Sequence, residues 1–160
     1  MPKESSLSSS IQFISIEVTN TLPLILSTRE LDEVITLDHK IILQIPGMPT
    51  VVAGVFQWDG EIIWLVDLAF LMGFNPLLST GYYQQKFRAL KVKFRDSYLA
   101  LLVQKVGNLI NIENQNITVA KPANINALVK RFIKGTCQNS AGAKMMILDI
   151  EAIVKYLESA

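Results

Sequence analysis

Apolar and polar positions alternate with a period of two over much of this chain, the pattern of strands buried on one face. Ile14, Ile16 and Val18 fall on one side of a strand predicted over 11–18, with Ser15 and Glu17 on the other. Asn20-Thr21 makes a turn and 22–26 a second strand. Residues 28–35 read equally as a bent strand or a helical turn. The apolar stretch 41–45 is bounded by Pro46, Gly47 and Pro49. Next, 51–58 and 61–66 flank Asp59-Gly60, a pair favoured in two-residue hairpin turns because both central positions take positive φ. Asp67 then caps a short helix over 68–72, which Gly73 closes in the left-handed conformation. Polar residues 75–86 form a linker. Beyond it, 87–94 alternates, Arg95-Asp96-Ser97 turns, and 98–106 returns. A short strand at 117–119, a helix starting near Asn124 and a hairpin of 131–138 with 144–148 follow. Asp149 caps a final helix, 150–157.

The second half repeats the first. Shifted by 76, Ile14, Ile16, Val18, Leu22 and Leu24 fall on Leu90, Val92, Phe94, Tyr98 and Ala100. Gly54-Val55-Phe56-Gln57 matches Gly135-Thr136-Cys137-Gln138 at a shift of 81, and Leu65-Val66-Asp67-Leu68 matches Ile147-Leu148-Asp149-Ile150 at 82. Each half reads as three strands, a hairpin and a capped helix. Five short strands per half suggest small closed barrels, because closure removes sheet edges.

Around a two-residue turn at 59–60, facing residues have numbers that sum to 119. One hairpin face then carries Val55, Gln57, Ile62, Trp64 and Val66, the other Phe56, Trp58, Glu61, Ile63 and Leu65. Both are largely apolar, and a small barrel interior buries only one. The other meets the second half or another protein. Trp58, beside the turn, is the expected interface anchor.

Charge and chemistry narrow the function. Fifteen basic and 14 acidic residues leave a net charge of +1, which argues against a general affinity for nucleic acid or membrane. No apolar run reaches the roughly 20 residues that span a bilayer, despite a mean hydropathy of +0.33. A single cysteine, Cys137, excludes an internal disulfide and fits a reducing, cytoplasmic setting. A single histidine, His39, excludes a multi-histidine metal site. No glycine-rich phosphate loop occurs, and Asp67 and Asp149 read as helix caps rather than an acid–base pair. No cofactor and no catalytic group are expected. Lys91, Lys93 and Arg95, with Arg88, Tyr82 and Tyr83 nearby, leave one alternative: a small nucleic-acid-binding β-barrel.

Residues 45–68 also resemble the signature of the CheW family. There a proline pair (here Pro46 and Pro49) leads through Gly54-Val55 to an Asn-Leu-Arg-Gly turn, here Gln57-Trp58-Asp59-Gly60, and an apolar strand ends in Asp67-Leu68. Leu101–Val106 and Met146–Glu151 resemble later family strands, so the likeness runs from about Gln12 to Leu157. It implies a mostly β fold of two interleaved SH3-like five-stranded barrels with short capping helices. Residues 1–10 would be a disordered tail and 11–160 one domain. The first barrel would come mainly from 20–86, the second from 87–148 plus the N-terminal strand, with a C-terminal helix over 149–158. The resemblance further implies a non-catalytic adaptor, without membrane insertion, coupling a methyl-accepting chemoreceptor to the regulatory domain of a CheA-type histidine kinase. In the family the receptor helix lies in an apolar groove between the barrels and the kinase domain meets the barrel ends. The partner-binding positions carried over are Glu33, Val34 and Ile35, and Gln57, Trp58, Asp59 and Gly60. Asp59 stands where the family turn has arginine, Trp58 where it has leucine, and Gln104 where it has a strand aspartate. Such a charge reversal favours a new partner, as in a dedicated pilus-motility or phototaxis pathway. Self-association and a ring or array with partners both remain open.

Overall fold

The computed structural model describes residues 9–19, 21–80 and 86–159. Eleven strands form two sheets. The N-terminal strand β1 (Ser10–Glu17) and β2 (Leu24–Ser27) are followed by β3 (Leu31–Asp38), β4 (Val52–Trp58) and β5 (Glu61–Asp67). A short helix α1 (Leu68–Leu71) and another, α2 (Leu77–Thr80), lead to β6 (Lys86–Phe94) and β7 (Ser97–Val103). Then come β8 (Lys105–Glu113), β9 (Ile117–Thr118), α3 (Ala127–Arg131), β10 (Ile133–Gln138), β11 (Lys144–Leu148) and α4 (Ile150–Ser159). The sheet orders are β8-β1-β2-β11-β10-β9 and β3-β6-β7-β5-β4.

These orders make the duplication visible. Each sheet contains an edge strand, an antiparallel pair and a hairpin, joined by one parallel contact: β2 to β11 in one sheet, β7 to β5 in the other. The element equivalent to β3 is β8, and that equivalent to β4–β5 is β10–β11. The opening pairs are exchanged. Strands β1–β2 sit with the later β8 and β10–β11, whereas β6–β7 sit with the earlier β3 and β4–β5. The strands therefore divide differently from the split expected near residue 86, because each repeat completes its sheet with the other repeat's first pair. The first strand also begins at Ser10, inside the expected tail, and residues 1–8 lie outside the described residues.

Apolar side chains separate into three cores. Ile35, Phe56, Ile63, Leu65, Phe87 and Leu102 fill the concave side of the five-stranded sheet. Phe13, Ile25, Ile112, Cys137, Met145 and Ile147 do the same in the six-stranded sheet. The largest core lies between the sheets, where Leu68, Val129 and Ile153 from the helices, with Met72 and Phe132 just after two of them, meet Leu90, Leu101 and Leu148 from the strands. Each sheet thus wraps its own core in the SH3-like manner, as expected, but remains open: no ladder joins its two edge strands. The expected closure is not needed, because side chains and a crossing segment cover the edge instead. Leu43 bridges Val55 on the outer side of β4, with backbone bonds of 2.8 Å in both directions. In the other sheet β9 lies across β10 in the same way. Both crossings run over the matched glycines. A Cβ on Gly54 would meet the Leu43 carbonyl oxygen at 2.6 Å, and one on Gly135 the Thr118 carbonyl oxygen at 2.8 Å. Glycine stands at both positions because backbone passes too close for any side chain.

Candidate functional site

The hairpin β4–β5 has the register expected from its sequence. Trp58 faces Glu61, Gln57 faces Ile62, Phe56 faces Ile63 and Val55 faces Trp64. Asp59 (φ 49°) and Gly60 (φ 79°) make the turn with both central residues at positive φ, the twist that lets two strands continue without splaying. Beyond Gly54 the pairing slips by one residue, a bulge matched before Gly135 in β10.

Around this tip the structure brings together five of the seven sequence-predicted partner positions, whereas Val34 faces the core between the sheets. Strands β3 and β4 are opposite edges of one sheet, yet the sheet curls until the Trp58 indole Nε1 donates to Glu33 Oε1 at 3.3 Å. The Trp58 ring also meets Phe56 edge-on, centroids 6.3 Å apart. Trp58 is half-buried against the concave core, whereas Gln57, Asp59 and Gly60 are exposed, and Glu33 and Val34 are half-buried. Ile35 is different: at 1% exposure it belongs to the concave core and reaches no surface. Alternation explains this, since Ile35 and Leu37 point inward with Phe56 and Ile63.

Trp58 is therefore not the exposed aromatic of the hairpin. It shares the inward face with Phe56, Ile63 and Leu65, while Ile62 (66% exposed) and Trp64 (40%) occupy the outward one. On that outward face Val66 packs into the core between the sheets, which accounts for part of its apolar surface. Ile62 and Trp64 lie beyond the cover. The sequence placed Ile62 and Trp64 together on one face without saying which face is buried; the signal was the alternation itself, since an aromatic in phase with the core belongs to the core.

The chemistry considered from the sequence resolves into structural roles. Asp67 is 3% exposed. Its Oδ1 accepts from Phe70 N at 3.2 Å, and its Oδ2 from Leu77 N at 2.7 Å and Leu78 N at 3.3 Å. Burial pushes the Asp67 carboxyl above its ordinary pKa, and the backbone hydrogen bonds only partly oppose that. Asp149 Oδ1 accepts from Ala152 N at 3.1 Å. Cys137 lies in the core of the six-stranded sheet and burial pushes its thiol upward, while His39 is exposed on a turn after β3. His39 follows β3 of the five-stranded sheet, whereas Cys137 lies in β10 of the six-stranded one.

The basic stripe behind the nucleic-acid alternative loses Lys91 to the interior, while Arg88, Lys93 and Arg95 stay exposed. Lys91 is 5% exposed, with its Nζ 3.2 Å from Asp32 Oδ2 and 4.2 Å from the Tyr98 ring centroid. Burial lowers the Lys91 pKa, but the hydrogen bond and charge of Asp32 outweigh it and hold the ammonium above its ordinary value. Arg95 lies over Phe94 at 4.8 Å. Tyr82 and Tyr83 lie outside the described residues. No group of three or more potential metal ligands occurs among the described residues, and no helix there is long and apolar enough to cross a membrane.

Comparison with known proteins places this geometry. The family model described as CheW-like domain matches residues 12–158. No curated protein matches the chain by sequence. Among solved structures, the chain is similar to the scaffolding protein TtCheW from Thermoanaerobacter tengcongensis. The TM-score is 0.72 at 19% identity, over 87% of this chain and 88% of that one.

Proposed function

Because the chain belongs to the CheW-like domain family, we propose that it is a non-catalytic adaptor, holding the regulatory domain of a CheA-type histidine kinase against a methyl-accepting chemoreceptor. The observation that carries this reading is the convergence of Glu33, Trp58, Asp59 and Gly60 at one end of the five-stranded sheet. These positions come from two distant segments, and the resemblance to the family implies partner contact for both. The hydrogen bond from Trp58 to Glu33 fixes the indole, so the tip is presented as a formed surface and little ordering remains to be done on binding. Gln57, Asp59 and Gly60 make the kinase-facing edge. Ile35 supports them from beneath. For the receptor, the half-buried Leu31, Val34 and Val106 border the core between the sheets and offer an apolar strip to a helix. Asp59 puts a negative charge where the family pattern has a positive one, so the kinase surface opposite it carries a complementary cation.

Titrating the chain with the regulatory domain of the histidine kinase from its own organism tests this. Asp59→Asn removes the charge and suits the positive φ, and Asp59→Arg reverses it. Affinity should fall about tenfold for the first and further for the second, with thermal midpoints close to the parent's. Unchanged affinity in both variants would exclude the hairpin tip as the kinase contact.

A further inference from the structure

The two repeats carry the same irregularity at the same place and fill it differently. In the five-stranded sheet Leu31 faces Val92 and Glu33 faces Lys91, so Asp32 is an extra residue in β3. In the six-stranded sheet Val106 faces Ile16 and Leu109 faces Ile14, so Gly107 and Asn108 of β8 both stand against Ser15. Ser15 is the counterpart of Lys91 at the shift of 76. Each bulge thus sets two residues against one. In β8 these are a glycine, whose added Cβ would collide with Ser15 Oγ, and Asn108, whose backbone N–H donates to that oxygen at 3.0 Å. In β3 they are two carboxylates, Asp32 and Glu33, against a lysine. The bulge belongs to the fold, but the charges do not, because the other repeat holds its bulge with a hydroxyl.

The side on which the charges stand matters. Ile35 with Ala89 and Leu37 with Phe87 are cross-strand pairs of the concave core, so the next pair, Glu33 with Lys91, stands at the mouth of that core. There Lys91 is 5% exposed, with its Nζ 3.2 Å from Asp32 Oδ2. A buried ammonium demands a counter-charge. An unbroken ladder would set a single carboxylate opposite this lysine, and the ammonium would take it. The extra residue supplies a second one. Asp32 neutralises the lysine, and Glu33 is left to accept the Trp58 indole N–H at 3.3 Å, across the gap between the edge strands β3 and β4. At the shift of 81, Asn139 stands in place of Trp58 and its carboxamide oxygen accepts from Ala141 and Ala143 in its own turn. Lysine, paired acids and tryptophan therefore occur as a set in one sheet and are replaced as a set in the other.

We propose that Asp32 and Lys91 are positioning residues of the hairpin tip: by occupying the buried ammonium, Asp32 keeps Glu33 free to hold Trp58 and so fastens the open edges of the five-stranded sheet to each other. Both act through Glu33, whose carboxylate has two claimants, the Lys91 ammonium directly opposite it and the Trp58 indole. The consequence for partner capture rests on the reading of the tip as the kinase contact. The placement of the indole does not, and it is measured without any partner.

The test uses heteronuclear magnetic resonance of the full chain, whose two tryptophans give two indole N–H signals. Trp64→Phe identifies that of Trp58, and Glu33→Ala marks the position of the released indole. In Asp32→Asn the Lys91 ammonium loses its counter-charge and should turn to Glu33. The Trp58 signal should then move toward the released position, and its exchange with water should quicken by about tenfold. Lys91→Met removes the competing cation and should leave the signal where it is. The double variant Asp32→Asn, Lys91→Met should return it to the parent's position, which damage to the fold alone would not do. An unmoved signal in Asp32→Asn would overturn the proposal, since the ammonium would have turned to Glu61, whose charge also reaches it. So would an equal shift in Lys91→Met or in the double variant, or failure of Asp32→Asn to fold, because Glu33 would then not have taken up the ammonium. Affinity for the kinase regulatory domain should fall in Asp32→Asn and recover in the double variant. If the indole moves and returns while affinity stays constant, the positioning role is upheld and only the reading of the tip as the kinase contact fails.

Discussion

Asp67 and Asp149 occupy the same place in the two repeats, each closing a hairpin and opening a helix, yet alanine should cost very different amounts at the two sites. Asp149 is half-buried and accepts one backbone N–H, from Ala152 at 3.1 Å. Losing a single N-cap that water can partly replace costs about 1 kcal/mol. Asp67 is 3% exposed and accepts from Phe70, Leu77 and Leu78, so it caps α1 and at the same time holds the start of α2. Its removal orphans three donors beneath a covered surface, each costing about 1 kcal/mol or more. The expected loss is therefore about 3 kcal/mol, against about 1 for Asp149→Ala. For a domain of this size that corresponds to thermal midpoints lower by roughly 6–12 °C and 2–4 °C. Calorimetry or far-ultraviolet circular dichroism of the two variants measures both shifts, and urea unfolding checks that the slope is unchanged. The pH dependence has a definite sign. Burial raises the folded-state pKa of Asp67 above its ordinary 3.8, so the stability this group contributes is fully present below 3.8 and declines as pH rises through the raised value. The gap between the parent and Asp67→Ala should accordingly be widest in acid and narrow toward neutrality. Equal midpoints for the two alanine variants would refute the hydrogen-bond reasoning, and a gap that narrowed on acidification would refute the dominance of burial.

Other substitutions probe the remaining supports. Gly54→Ala places a Cβ 2.6 Å from the Leu43 carbonyl oxygen and should cost well over 1 kcal/mol by urea titration. Gly60→Ala, with open space but φ at +79°, should cost only about 1. Asp32→Asn leaves the Lys91 ammonium buried without a counter-charge. Because the Asp32 side chain is 37% exposed, the loss should be about 2 kcal/mol rather than the larger figure for a sealed pair, and Lys91→Met should cost less. Cys137, 4% exposed in its core and with its thiol pushed upward, should resist a thiol reagent in native buffer and react at once in denaturant. Since each sheet draws strands from both repeats, circular dichroism and tryptophan fluorescence should report one coincident urea transition.

The elements most legible in the sequence were those whose local chemistry and tertiary role agree. The Asp59-Gly60 turn, the hairpin register, the Asp67 and Asp149 caps and the left-handed Gly73 (φ 92°) all rest on short-range rules, and all occur. Strand β8 was less so. The alternating run was expected to end at Val106, but the chain breaks at Gln104, whose N–H bonds Glu17 O at 2.8 Å, and a new strand pairs with β1 as far as Glu113. Gly107, Asn108 and Asn111 are poor strand formers, and only the distant β1 makes this segment a strand. Residues 28–35, open between strand and helix, become β3 only from Leu31 for the same reason. The exchange of opening pairs could not be read either. A parallel contact between β2 and β11 spans most of the chain, and nothing local distinguishes it from pairing within one repeat.

The exchange also bears on how an adaptor works. Had each repeat closed its own sheet, the two halves would be joined by a linker and free to swing. Here each sheet depends on a pair of strands supplied by the other half, and the largest core fills the space between them. A force or a partner at one sheet is then resisted by both, so surfaces on different halves keep a fixed separation. Rigidity of that kind suits a component that must hold two other proteins in register. It also makes equivalent positions comparable, because the same fold constrains both copies. Where Gly54 and Gly135 or Asp67 and Asp149 agree, the fold accounts for them.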